Sequence, residues 1–213
     1  MEILDRFNKV LIMAAHVHTI SRSYLGLEFG RANPNTAHQI LVAAASGSWW
    51  TGPKDEYGIP SATQRDGSPK GIHHLTFYEN SYHERFKAAG LSKSHQIRIE
   101  DPSGFKGHSD STLTHLVVNV FNGSERSTVE ARINHEEWKS LANKSNGYSP
   151  HFKRLKQNEQ TGDWIHPIPT NHIWELELPE DLKPGFHLLE VRTTDQYGKA
   201  YSKSKVFEFI QAD

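Results

Sequence analysis

Leu116–Phe121 reads LVVNVF, and this run of residues decides the fold class of the second half of the chain. Valine and phenylalanine favour strands, and the Asn122-Gly123 pair that follows is a strong turn signal. Ser127–Ile133 then alternates apolar and polar residues, as a half-buried strand does. Short strands joined by turns, with little helix, predict a β-sandwich of the immunoglobulin or fibronectin kind. The other strands of this half are predicted at His172–Leu178, Phe186–Thr193 and Lys205–Ile210.

The first half of the chain is also predicted to be mainly β. Lys9–Ala15 is a continuous apolar run of strand length and predicts a buried strand, and Gln39–Ala45 predicts another. Pro53–Gly71 is rich in Gly, Pro, Asp and Ser, so it predicts a long irregular loop of the kind that is usually functional. Further strands are predicted at Ser21–Phe29, with an extended loop as the alternative, and at Ile72–Tyr78, Tyr82–Ala88 and His95–Ile99.

A polar stretch divides the two halves. Asp101–Ser111 reads DPSGFKGHSDS and carries the proline and glycine typical of a linker. The predicted organisation is therefore a first part of residues 1–100, a linker of residues 101–112 and a second domain of residues 113–213. Within the second domain, Glu136–Ala142 predicts a short helix, and Asn143–Thr170, which contains three prolines, predicts irregular chain.

The composition indicates a folded protein and excludes several classes of function. Of the 213 residues, 36% are hydrophobic and 23% are charged, which predicts a packed core. The formal net charge of -1 gives no basic field for nucleic acid or an anionic membrane. Cysteine is absent, so neither disulfides nor thiolate metal sites form. Val10–Ala15 is too short to span a membrane, and no signal-peptide cleavage pattern follows it.

Two histidines close the first predicted strand. Lys9–Thr19 reads KVLIMAAHVHT, which places His16 and His18 two positions apart after the apolar run. Residues i and i+2 of a strand point to the same face, and neutral imidazole is the commonest protein metal ligand. The pattern makes His16 and His18 candidate metal ligands. The alternative is that they are two solvent-facing side chains at a strand end.

This stretch resembles the last metal-binding motif of calcineurin-like metallophosphoesterases, which is usually Gly-His-x-His. The resemblance continues through Ser46–Gly52 (SGSWWTG) and Asp66–Gly71 (DGSPKG) to the end of the chain. It points to a bacterial branch in which a β-sandwich C-terminal domain follows the phosphoesterase domain. The resemblance implies that residues 1–100 are the C-terminal, incomplete part of the phosphoesterase domain. Further shared segments are Gly58-Ile59-Pro60, His172-Ile173-Trp174, Leu178-Pro179 and Gly185-Phe186-His187.

The resemblance implies a complete protein that hydrolyses a phosphomonoester or a phosphodiester with two divalent metal ions, Mn²⁺, Fe or Zn²⁺. In this family the ions clamp the phosphate and generate a hydroxide that attacks phosphorus. His16 and His18 would then be terminal ligands, each of a different ion. The resemblance also implies a periplasmic or extracellular location, although the chain carries no export signal.

Two departures from the family pattern weaken the expectation that this chain alone is an enzyme. Ala15 stands where the family has glycine before the first histidine. The Asp-x-His, Gly-Asp-x-x-Asp and Gly-Asn-His-Asp/Glu motifs are absent, and Gly162–His166 departs from the second of them at His166. Two ligands cannot hold two metals, so we expect the chain alone to bind no metal stably and to be inactive. No catalytic residue is assigned.

Three residues are candidate substrate-binding residues, and two of them, Trp49 and Trp50, are expected to contact the non-phosphate part. Trp49 and Trp50 follow a small-residue turn and are expected to line the mouth of the site. The alternative is that one packs in the core and the other lies on the surface. Asp66 is the third candidate, but Arg65–Pro69 is also an ordinary turn sequence, which favours a structural role for it.

Two other functions remain open at this level. The chain could be a non-enzymatic module that binds carbohydrate or protein, with vestigial histidines. It could instead be a half-enzyme that assembles with a separately encoded N-terminal half or with a second copy of itself. In that case the incomplete sheet would leave an exposed edge for docking.

Overall fold

The computed structural model describes residues 2–100, 115–158 and 160–209. Strands dominate this part of the chain, and they are arranged in several sheets, which confirms the predicted mainly β class. The helical content is limited to two 3₁₀ turns, Leu4–Arg6 and Leu27–Phe29, and one α-helix, α1, at Pro150–Gln157. None of the described helices has the length and apolar character needed to cross a bilayer.

The first sheet has three strands and carries the histidine motif. β1 (Leu11–Ala14) is parallel to β3 (Ala37–Leu41), and β2 (Ser21–Leu25) is antiparallel to β3, so β3 is central. β1 is an edge strand, and Met13 is 46% exposed. The prediction that this apolar run is buried is therefore wrong, because the other three residues of β1 are only half-buried.

A long hairpin follows the irregular loop. β4 (Gly71–Tyr78) and β5 (Ser81–Ala88) pair antiparallel over their whole length, as predicted, and Glu79 adopts a left-handed φ of 48° in the tight turn. Phe86 and Ala88 at its base pack against Ile20 and Phe121 in a small apolar cluster. The hairpin base thus joins the first sheet to the second half of the chain.

The second half is a sandwich of two four-stranded antiparallel sheets, as predicted. Their inner faces share one apolar core that includes Leu116, Val118, Trp174 and Val191. The first sheet has the order β10 (Ala142–Lys144), β11 (Ile173–Glu177), β7 (His115–Val120), β6 (Ile97–Glu100). The second sheet has the order β13 (Ala200–Phe209), β12 (Gly185–Thr194), β8 (Thr128–Ile133), β9 (Lys139–Ser140).

β7 is buried on both faces, which explains its continuous apolar run. Leu116, Val118 and Val120 point into the sandwich core, whereas Asn119, on the opposite face, contacts the irregular loop of the first half. A strand covered on both sides is expected to lose the apolar-polar alternation of a surface strand. β7 is therefore the strand that connects the sandwich to the rest of the molecule.

The sandwich begins before the predicted linker. β6, assigned from the sequence to residues 1–100, pairs with β7, with Glu100 opposite Val117. The predicted linker at residues 101–112 lies outside the described residues.

Two local predictions in the sandwich are corrected. The predicted helix at Glu136–Ala142 is wrong, because Asn134 and His135 adopt left-handed φ values of 50° and 64° and turn the chain back into β9 and β10. The stretch predicted as irregular contains α1. Ser149 caps this helix by accepting a hydrogen bond from the Phe152 backbone N–H at 3.2 Å.

Buried polar contacts fasten the first sheet to the sandwich. Arg22 on β2 is 2% exposed and forms an ion pair with Glu84 of the hairpin. Its Nε donates to the backbone oxygen of Asn122 at 3.0 Å. The amide of Asn171 donates in turn to the backbone oxygen of Arg22 at 2.5 Å. Sheet, hairpin and sandwich are therefore tied together at β2.

Candidate functional site

The two histidines lie on a bend at the carboxyl end of β1. The strand ends at Ala14, so His16 and His18 do not share the face of a strand, and that part of the prediction is wrong. Their φ values are 94° and 53°, in the left-handed region that residues other than glycine rarely adopt. His16 is exposed and His18 is half-buried. The motif therefore displays its imidazoles from a left-handed bend.

His18 is held in an orientation that suits a metal ligand. Its Nδ1 forms a short hydrogen bond with the backbone oxygen of Gly47. A carbonyl oxygen only accepts, so Nδ1 carries the hydrogen and Nε2 keeps its lone pair. Metal-binding histidines are commonly fixed in this way, by a hydrogen bond from the other ring nitrogen to a carbonyl or carboxylate. Nε2 of His18 is therefore free to coordinate a cation.

One tryptophan contacts this bend, and two others lie near it in the sequence or in the fold. The ring of Trp49 stacks on His18 with centroids 3.7 Å apart, and Trp164 contacts the Trp49 ring at 4.6 Å. Trp50 lies under the Lys70 ammonium, which is 3.5 Å from its ring centroid. Trp49 is 38% exposed and Trp50 is 43% exposed, so neither packs in the core. That these two rings contact a substrate stays a prediction.

Backbone strain is concentrated at the same place. Seven non-glycine residues of the described chain have a positive φ, and His16, His18, Trp49 and Trp50 are among them. Each such conformation costs on the order of 1–3 kcal/mol and persists only where the surrounding structure enforces it. Gly47, also left-handed, lies so close to Ala62 that a Cβ would be 2.3 Å from the Ala62 oxygen. Strain of this kind is typical of functional sites.

Asp66 is buried beneath the bend and holds it in place. Its Oδ2 accepts hydrogen bonds from the Ile20 backbone N–H at 2.5 Å and from the Thr19 hydroxyl at 2.7 Å. Its Oδ1 accepts from the Ser68 backbone N–H at 2.8 Å. The side chain is 0% exposed, so the structure places Asp66 away from the surface on which a substrate would lie. The interpretation of Asp66 as a structural turn residue therefore fits. Its side chain anchors the residues directly after His18.

His172 joins Asp66 to the sandwich. Its Nε2 lies 3.3 Å from Asp66 Oδ2, and its Nδ1 lies 2.9 Å from Asn119 Oδ1. The amide nitrogen of Asn119 donates to the Asp66 backbone oxygen and to Glu100, which fixes the amide orientation. Both ring nitrogens of His172 therefore face acceptor oxygens. Asp66 and His172 form a buried, hydrogen-bonded pair.

The pKa of Asp66 reflects this pairing. Burial by itself raises the pKa of the carboxyl group, because it penalises the charged form. The hydrogen bond and the charge of His172, together with the hydrogen bonds from Ser68 and the Ile20 N–H, outweigh burial and hold the pKa below its usual value. Asp66 is thus a carboxylate at neutral pH.

The described residues contain no complete metal-binding cluster. Across residues 2–100, 115–158 and 160–209, no group of three or more His, Asp or Glu side chains could hold an ion. His16 and His18 fit the role of one imidazole ligand to each of two ions. They do not fit the role of a complete binuclear centre.

A search of protein families identifies the chain. The family model described as the C terminal of calcineurin-like phosphoesterase matches residues 40–201, more than half of the 213 residues. The chain belongs to this family, which confirms the resemblance. The matched region contains Trp49, Trp50 and Asp66 and begins after His18. Searches of curated proteins and of solved structures each gave no significant match.

The sequence identified part of the site and missed another part. His18, Trp49 and Asp66 were singled out, and the fold brings them to one bend. Trp164 was missed because only tertiary folding brings it to Trp49. The role of His172 was not predicted, because its partnership with Asp66, 106 residues away, leaves no local signal in the sequence.

Proposed function

We propose that this chain is the C-terminal portion of a binuclear-metal phosphoesterase that hydrolyses a phosphomonoester or a phosphodiester. In this proposal His16 and His18 each ligate a different divalent ion, Mn²⁺, Fe or Zn²⁺, and the remaining ligands lie outside this chain. The observation that carries the proposal is the hydrogen bond from His18 to the Gly47 oxygen, which leaves Nε2 free for a metal.

The tryptophans and nearby cations support a substrate role for the surface around the bend. Trp49 and Trp164 present partly exposed rings beside His18, and Lys70 lies over Trp50. The Arg65 backbone N–H donates to the His18 oxygen at 3.1 Å, so the bend and the irregular loop are directly joined. In the proposal, the aromatic rings contact the organic part of the ester while the metals hold its phosphate.

The test of the ligand role is Mn²⁺ line broadening in the NMR spectrum of the chain. The chain alone is expected to hold no metal stably, but transient contact with sub-stoichiometric Mn²⁺ should still broaden the imidazole signals of His16 and His18 first, because the paramagnetic ion relaxes only nearby nuclei. The exposed His74 is the internal control. Substitution His18→Ala should abolish the selectivity and His74→Ala should not. Equal broadening of all exposed histidines would contradict the proposal.

The activity assay is hydrolysis of bis-p-nitrophenyl phosphate with added Mn²⁺. Because two imidazoles cannot hold two ions, we expect the chain to show no turnover above that of His16→Ala. Metal-dependent turnover that is lost in His16→Ala would show that this chain, or a second copy of it, completes the centre. An adjacent coding region that carries the missing motifs would support a split or multi-part enzyme.

A second candidate function is a module that binds carbohydrate. The observation that favours it is the contact between two exposed rings, those of Trp49 (38% exposed) and Trp164 (61% exposed). Saturable quenching of tryptophan fluorescence by a soluble oligosaccharide, unchanged in His16→Ala, would support this function. Absence of quenching, together with selective Mn²⁺ broadening, would leave the phosphoesterase role.

Two further parts of the proposal concern assembly and location. The open edge of β1 is the place where a separately encoded N-terminal half, or a second copy, would dock. We place the complete protein in the periplasm or outside the cell on the strength of the family resemblance. Fractionation of the native cells with an antibody against the chain tests the location.

A further inference from the structure

A second concave site lies at the opposite end of the first sheet from the histidines. β1 and β3 are parallel, so their amino ends meet at one edge and the histidine bend lies at the other. At the amino ends is a cleft of about 530 Å³, here called the Tyr82 cleft, a volume within the range of small-molecule sites. The lining residues used below are Lys9, Tyr24, Thr36, His38, Tyr82 and Arg126.

The charge of the Tyr82 cleft is positive. Lys9 and Arg126 line it, and none of its lining residues in the described part of the chain is acidic; Glu125, next to Arg126 in sequence, is not among them. Arg126 lies 3.5 Å over the Tyr24 ring and donates from one terminal nitrogen to the Thr36 hydroxyl at 3.1 Å.

Both cations keep donors free for a ligand. Within the described part of the chain, the other guanidinium donors of Arg126 and the ammonium of Lys9 have no hydrogen-bond acceptor. An anionic ligand in the cleft would therefore find two cations whose donors are not already engaged.

The hydroxyl of Tyr82 is a third donor. Arg22 approaches His38 Nε2 at 3.1 Å, and since a guanidinium only donates, Nε2 is the acceptor. The hydrogen of His38 is then on Nδ1, which donates to the Tyr82 oxygen at 2.5 Å. The Tyr82 oxygen is therefore used as an acceptor, and its own hydrogen remains available to a ligand.

The ionisation of this pair keeps the donor in place near neutral pH. Burial, with a contribution from the charge of Arg22, lowers the pKa of His38 to about 4. Burial and the neighbouring Tyr197 raise the pKa of Tyr82 to about 12. Both groups are neutral at pH 7, so the direction of the hydrogen bond from His38 to Tyr82 is fixed there.

We propose that the Tyr82 cleft binds a small organic anion, with its phosphate or carboxylate group received by Arg126, Lys9 and the Tyr82 hydroxyl. Charged hydrogen bonds of this kind are roughly twice as strong as neutral ones. The ring system of Tyr24 and His38, stacked at 4.8 Å, forms a rigid wall beside the ligand. This site is separate from the histidine bend and does not depend on the proposed phosphoesterase role.

The test titrates the full chain with phenyl phosphate, benzoate and neutral benzyl alcohol at constant ionic strength, followed by ¹H–¹⁵N NMR. We expect saturable shifts around Lys9 and Tyr82 with one of the two anions, and the tighter anion identifies the head group. Benzyl alcohol should bind at least about tenfold more weakly, because charged hydrogen bonds are lost. Equal binding of benzyl alcohol, or no saturable shift with either anion, would overturn the proposal.

Matched variants separate the cleft from general charge attraction. Lys9→Gln and Arg126→Gln should each weaken anion binding about tenfold, because each removes a charged donor. Both side chains are exposed, so the fold should survive the change. Lys93→Gln removes an exposed cation of the turn after β5 and should leave the affinity unchanged. Unchanged affinity in both cleft variants, or an equal loss in Lys93→Gln, would refute the site.

Discussion

Polar groups buried beneath the histidine bend hold the backbone in place directly after His18. Asp66 accepts hydrogen bonds from the Thr19 hydroxyl and the Ile20 N–H, immediately after His18, and pairs with His172. Both histidines have a left-handed φ, and the chain directly after them is held by a carboxylate that is fully buried. The same carboxylate connects the bend to the sandwich, so the geometry of the bend depends on both halves of the chain.

The substitution Asp66→Asn tests this role of Asp66. Asparagine keeps the shape of the side chain but turns a donor toward other donors, so buried groups that bond to Asp66 lose an acceptor. Leaving a buried polar group without its partner costs about 1–3 kcal/mol. We expect a loss of that size in the free energy of unfolding at pH 7, measured with urea. Asp163→Asn, at an exposed aspartate, is the control, and equal stabilities of the two variants would contradict the role.

The pH dependence of stability gives a second test of Asp66, because the direction of the change can be predicted. Because the pKa of Asp66 is lower in the folded chain than its usual value, the ionised group stabilises the fold above that usual value. This contribution is lost as the pH falls through the lower, folded-state pKa. The unmodified chain should therefore lose stability on acidification more steeply than Asp66→Asn does.

At the scale of elements, local signals predicted most strands but not the region between β8 and β11. The hairpin of β4 and β5 has an alternating pattern and a clear turn, so its bounds were predicted within one residue. Glu136–Ala142 has helical composition, but backbone pairing of Leu141 with Val129 at 2.9 Å places it beside β8. Tertiary pairing overrides a weak local propensity here.

The helix α1 shows how a short element depends on one cap. The Ser149 hydroxyl accepts from the Phe152 N–H and donates to Glu100, so it joins the helix to β6. Ser149→Ala should cost about 1–2 kcal/mol, because the cap is lost. Ser145→Ala, at an exposed serine before the helix, should be nearly neutral. Equal urea midpoints of the two variants would show that the cap is unimportant.

At the scale of the whole molecule, the fold class and the family could be predicted, whereas the joining of the halves could not. Alternation and turn signals predicted the sandwich, and the His-x-His, Ser-Trp-Trp and Asp-Gly-x-Pro segments predicted the family. The contacts that tie the halves together, such as Arg22 with Asn122 and Asp66 with His172, join residues far apart in sequence. No local sequence pattern in either segment predicts such a contact.

The open edge of β1 has a consequence for handling the protein. β1 pairs only with β3 among the described strands, and the half-exposed Met13 lies on it. Backbone N–H and C=O groups along such an edge accept an incoming strand from any chain that offers one. Two molecules at high concentration should therefore add to each other there. The histidine bend lies just beyond this edge. Measurements on the bend should therefore use dilute samples, in which the chains are not paired.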